Sequence, residues 1–137
     1  MWVIYALLSA IFAALTSILA KIGMTNLNSN LATAIRTIVV LIMAWVVVFV
    51  TGAHKDVAQL TRTNYIYLIL SGLATGASWL FYFYAISLGE VSRVAPIDKL
   101  SVVFTIILAY IILNETITFR SIIAMILITS GSLLLIK

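Results

Sequence analysis

The sequence predicts an all-α integral membrane protein of five transmembrane helices, and two observations carry that prediction. First, the composition is 64% hydrophobic and only 9% charged, where a soluble domain carries about 25% charged residues. Second, charge-free stretches run over residues 1–20, 22–35, 37–53, 63–89, 100–114 and 121–136. A helix rises about 1.5 Å per residue and the hydrocarbon core is ~30 Å thick, so roughly 20 apolar residues span it. A mean hydropathy of +1.25 excludes a water-soluble fold, and low charge excludes disorder. At 137 residues the chain is a single transmembrane domain, 1–137.

The elements follow in order. Helix 1 covers 3–24, with Trp2 and Tyr5 as interfacial aromatics at its first end. A secretory signal peptide would need a basic leader, whereas Lys21 stands at the wrong end of the apolar run. Helix 2 covers 31–50, and Asn26, Asn28, Ser29 and Asn30 are available to cap it. Residues 52–62 form the one sizeable polar loop, with His54, Lys55, Asp56 and Arg62 as a solvated turn. Helix 3 covers 65–88, opens with Tyr65 and Tyr67, and ends at Gly89. Inside it, Gly72 and Gly76 form a G-x-x-x-G pair that lets another helix approach closely. Helix 4 covers 92–113, and Pro96 frees backbone carbonyls around Ser92 and Arg93, so an irregular start is expected there. Helix 5 covers 120–136, is the shortest, and takes its cap from Thr116 or Thr118.

Most enzyme chemistries are excluded. The chain has no cysteine and one histidine, and a lone loop histidine makes no metal site. No GxSxG, HExxH or glycine-rich phosphate cradle occurs. No cofactor and no catalytic residue is therefore expected. The net charge of +4 comes from scattered residues, without the basic stripe that nucleic acid requires.

Ionisable residues near or inside the spans need another explanation. Lys21 lies near the end of helix 1 and Arg36 about five residues into helix 2; Asp98 and Lys99 come six and seven residues after Ser92. Alternation of the spans puts all four on one membrane side. A charge at the bilayer centre costs about 2.5–3.5 kcal/mol on insertion scales, so these groups must pair, snorkel or face a wet cavity. Asp98 is too short to snorkel far and needs a cation among Lys99, Arg36 and Lys21.

Helical spacing supports the cavity. Asp98, Ser101, Thr105 and Ala109 form one polar stripe, Ala10, Ala14, Ser17 and Lys21 a second, and Ser71, Thr75, Ser78 and Tyr82 a third. Plain helix packing uses the same small residues and hydroxyls. Trp79 and Tyr82 belong to an aromatic run, 79–84, that suits a flat or cationic solute, while the three cations suit an anionic or zwitterionic one.

The stretch Ser92-Arg93-Val94-Ala95-Pro96 through Leu113-Asn114-Glu115, followed by Ile117-Thr118 and a last helix containing Gly131, resembles the EamA repeat of the drug/metabolite transporter superfamily. Lys21 and Arg36 also match the repeat, so the resemblance covers nearly the whole chain. The chain departs from it in Phe12-Ala13 where many members carry Trp-Gly, in Asn114 where Gly is usual, and in the charged pair Asp98-Lys99.

The resemblance implies one half of a 5+5 inverted-repeat transporter, working as a homodimer by alternating access. It implies secondary transport, as export, of a small organic metabolite across the cytoplasmic (inner) membrane, coupled to H+ or Na+. A lipid-linked sugar flippase component and a non-transporting subunit of a hetero-oligomer are the other readings. An inverted homodimer needs dual topology. Flanking charges agree with it, since Lys55, Arg62 and Arg120 on one face balance Arg93, Lys137 and Lys21 on the other. Counting the deeper Arg36 and Lys99 gives five against three, a weak bias that leaves a parallel dimer open as the alternative. Glu115, at the junction of helices 4 and 5, is either a helix cap or a coupling group.

Overall fold

Hydrophobic length decides the architecture. The computed structural model describes residues 1–136, and Lys137, counted above among the flanking charges, lies outside them. Among the described residues six α-helices follow in order: α1 (Trp2–Gly23), α2 (Ser29–Thr51), α3 (Arg62–Leu88), α4 (Val91–Asp98), α5 (Ser101–Leu113) and α6 (Phe119–Leu134). A 3-10 helix over Ala53–Gln59 follows α2, and no strand occurs among the described residues. Four stretches are long and apolar enough to cross a membrane: α1, α2, α3, and α4 with α5 over Val91–Leu113. α6 is apolar but shorter, at 16 residues, or about 24 Å of rise. The chain is thus a multi-pass membrane protein, most of whose large apolar side chains are exposed along the spans.

Local chemistry sets the ends. Asn28 caps α2, its side chain accepting from the Asn30 N–H at 2.9 Å. Gly52 closes α2 in the left-handed conformation, φ 76°, which glycine adopts without steric cost. Thr118 caps α6, accepting from the Ser121 N–H at 3.2 Å. Glu115 therefore lies before α6, three residues ahead of the cap; its backbone N–H reaches back to the Ala109 carbonyl at 3.2 Å. Asn114, between α5 and Glu115, sits at φ 54° and ψ 31°. Asparagine is the side chain that best tolerates this left-handed turn after glycine, which accounts for its presence there.

The chain groups into two compact units. One comprises Leu19–Ser87, and all five buried apolar side chains, Ala20, Met24, Ala32, Phe83 and Ile86, belong to it. The other comprises Met1–Ile18 with the chain from Leu88 on. Within that second unit α6 packs against both α4 and α5, and its buried side chains are Ser17 and Ser132.

Candidate functional site

In the unit Leu19–Ser87, Ser29, Ala32, Thr33 and Arg36 recur at helical spacing on one face of α2, and the first three are buried. The Arg36 guanidinium carbon lies 3.9 Å from the centroid of the Phe83 ring, a cation–π contact on a side chain that is 2% exposed. Tyr82 stands edge-on to Phe83, with centroids 5.3 Å apart, and is within electrostatic reach of Arg36. Arg36 Nη1 is buried and has no hydrogen-bond partner among the described residues.

Lys21 takes a different role beside it. Its ammonium donates to the carbonyl of Ile86, which lies in the last turn of α3, where carbonyls have no helical partner. A cation there also meets the negative end of the helix dipole. Lys21 thus caps α3 from the end of α1. The structure brings Lys21, Arg36 and Tyr82 to one stretch of α3, while Trp79 is half-buried and Ser78 exposed on the preceding turn.

The second predicted group lies in the other unit. The irregularity attributed to Pro96 falls after it rather than before. α4 starts regularly at Val91, with Arg93 and Val94 N–H both bonded to the Glu90 carbonyl at 3.0 Å and the Glu90 carboxylate on Arg93 Nε at 2.9 Å. The helix instead tightens at Lys99 (φ −68°, ψ −10°) and Leu100 (φ −59°, ψ −20°), angles of the 3-10 type. There Lys99 N–H bonds the Pro96 carbonyl at 3.1 Å and Leu100 N–H the Ile97 carbonyl at 2.9 Å. Ser132 Oγ on α6 donates to the same Pro96 carbonyl at 2.8 Å, occupying the acceptor that a continuous α-helix would offer to Leu100.

At this break stand Asp98 and Lys99, with Oδ2 and Nζ 3.5 Å apart. Lys99 is thus the cation that meets Asp98. Both side chains are more than a third exposed, so the attraction is screened and small. Ser101 opens α5, and its carbonyl accepts from Thr105 Oγ1 at 2.8 Å. The same i−4 pattern takes the hydroxyls of Thr75 (to Ser71, 2.9 Å) and Ser17 (to Ala13, 2.9 Å). The exposed Thr75 and Thr105 are thus satisfied within their own helices and can face lipid without an unmet proton, whereas Ser17 is buried. Nothing stands within 4 Å of where a side chain would begin at Gly72 and Gly76. No cluster of metal-ligating side chains occurs among the described residues.

Phe83, Ile86 and Ser132 are participants that sequence reasoning missed. Phe83 stood inside the aromatic run that had been singled out, next to Tyr82. Ile86 contributes only a backbone carbonyl, which no side-chain pattern signals, and Ser132 had only its place beside Gly131.

Apolar helices of spanning length, an arginine within one and a charged pair at a break in another define a multi-pass membrane protein with polar groups inside its spans. The chain matches the EamA-like transporter family over residues 1–137 and belongs to it. It is similar to a Sinorhizobium sp. protein named "Uncharacterized transporter in cobO 3'region", with 45% identity over 134 residues, 98% of this chain and 95% of the relative. No solved structure matches it.

Proposed function

We propose that this chain is a secondary transporter that exports a small organic metabolite across the inner membrane. It works as an antiparallel homodimer by alternating access, each copy supplying five helices of a 5+5 inverted repeat. α6 then serves as the fifth span, its short length met by local thinning of the bilayer. The observation that carries the reading is the interruption of an apolar span at Asp98–Ser101, in a chain that matches a transporter family throughout. Discontinuous membrane helices of this kind build solute and ion sites in carriers, because their ends expose backbone and charge at membrane depth. The solute passes unchanged, driven by H+ or Na+.

The test joins flux to topology. Purified protein in proteoliposomes, with an imposed proton or sodium gradient and a panel of amino acids, organic acids and amines, should show gradient-dependent movement of at least one solute. C-terminal reporters active only inside or only outside the cell should both give signal. A single orientation with a parallel cross-linked dimer removes the antiparallel arrangement. Absence of flux for every solute removes the carrier and leaves a non-transporting subunit.

A further inference from the structure

Among the described residues, one buried side-chain polar atom has no hydrogen-bond partner, and it belongs to a cation within a membrane span: Arg36 Nη1. Buried polar groups in folded chains are almost always satisfied, and an exception points to a role or to a missing partner. The cost of leaving such a donor unmet is greatest for a charged group in a low-dielectric setting.

The unit that holds Arg36 supplies no counter-ion for it. Leu19–Ser87 contains Lys21, Arg36, Lys55 and Arg62 but a single carboxylate, Asp56. Asp56 lies beyond the far end of α2, 15 residues from Arg36 to Thr51, or about 22 Å of helix rise. Neither of the described ion pairs, Glu90–Arg93 and Asp98–Lys99, includes Arg36. Lys21 sharpens the contrast, because its ammonium is engaged on the Ile86 carbonyl. Among the described residues of this unit, Lys21 is thus committed to the fold, while Arg36 keeps one buried donor, Nη1, without a hydrogen-bond partner. Phe83 supports the guanidinium face without consuming its N–H donors, since a cation–π contact leaves the edge free.

We propose that Arg36 is an oxyanion subsite, holding a carboxylate or phosphate-type group of the solute while Phe83 backs the guanidinium. This deepens the transport reading and rests on it. Nη1 is covered in the described state, so the oxyanion reaches it when the covering side chains part and is sealed with it when they close. A solute lacking that group leaves the donor unmet on closure, so closure discriminates against it.

The test uses binding alone. Wild-type protein, Arg36→Lys and Arg36→Gln in nanodiscs are titrated with benzoate and phenylphosphonate, with benzamide and benzylamine as neutral and cationic controls. Binding is read as the rise in melting temperature by intrinsic tryptophan fluorescence. At least one oxyanion should stabilise the wild type saturably, and which one does so separates carboxylate from phosphonate. Arg36→Lys should weaken it about ten- to a hundredfold, and Arg36→Gln should abolish it. Equal stabilisation by benzamide, undiminished binding by Arg36→Gln, or no response to either oxyanion overturns the subsite. If Arg36→Gln does not fold, modification of wild-type Arg36 by hydroxyphenylglyoxal, resolved by mass spectrometry, must be slowed by the oxyanion and not by benzamide; equal rates overturn it. Because no gradient is involved, Arg36-dependent binding without flux keeps the subsite and removes the transporter. Flux with binding indifferent to Arg36 does the reverse.

Discussion

Ser132→Ala isolates the bond that accompanies the break between α4 and α5. The hydroxyl is buried, 5% exposed, and donates to the Pro96 carbonyl at 2.8 Å across 36 residues of sequence. An intramolecular hydrogen bond contributes about 1 kcal/mol net, and polar contacts between membrane helices average about 0.6 kcal/mol. Unfolding entropy of about 2.1 cal/mol/K per residue converts that range into a melting temperature about 2–4 °C lower. The assay is reversible unfolding in mixed micelles followed by tryptophan fluorescence, repeated in the Pro96→Ala background. There position 96 regains its own N–H for the Ser92 carbonyl, the helix can run on regularly through Lys99, and the position-96 carbonyl then takes the Leu100 N–H in place of the hydroxyl. Ser132→Ala should then cost less than half as much, a coupling that the double-mutant cycle reads directly. Equal losses in both backgrounds, or no loss in either, would refute the view that this serine holds the carbonyl away from Leu100.

Two further changes follow from the other unit. Lys21→Met keeps the stem but strands the Ile86 carbonyl at the end of α3; an unmet acceptor costs about 1–3 kcal/mol, so the melting temperature should fall while Lys21→Arg retains most of it, and a Met variant that melts like wild type contradicts the cap. Gly76→Ile adds a side chain where nothing stands within 4 Å, so it should leave the protomer's melting nearly unchanged yet lower the cross-linked dimer fraction in lipid; an undiminished dimer assigns that face to lipid instead.

The helices were legible because each depends on a local quantity, the length of the apolar run. The caps at Asn28 and Thr118 are among the residues that the sequence offers for them. The span expected over 92–113 stands as one apolar stretch but is divided into α4 and α5, and the reason is not local. Pro96 by itself removes one N–H, but the displacement of the break to Lys99 and Leu100 accompanies a hydroxyl 36 residues away. The same limit applies to the cations. Sequence placed Lys21 and Arg36 at one membrane side, yet only the approach of α3 separates a helix cap from a guanidinium on an aromatic face. The hydroxyls of Thr75 and Thr105 count as polar in a sequence, and only the structure shows that they donate to their own helix backbone.

The uneven distribution of buried side chains has a mechanical consequence. Close packing resists deformation because every displaced group loses contacts at once, and here that resistance is concentrated in Leu19–Ser87, around Phe83 and Ile86. From Leu88 on, the chain is held by hydrogen bonds such as Ser132 to Pro96 and by half-buried faces of α4, α5 and α6. Elements that must move in a working protein are drawn from the least stable part of its structure. Among the described residues buried apolar contact is therefore a resource of one unit, and the break at Asp98 and Lys99 lies in the unit that lacks it.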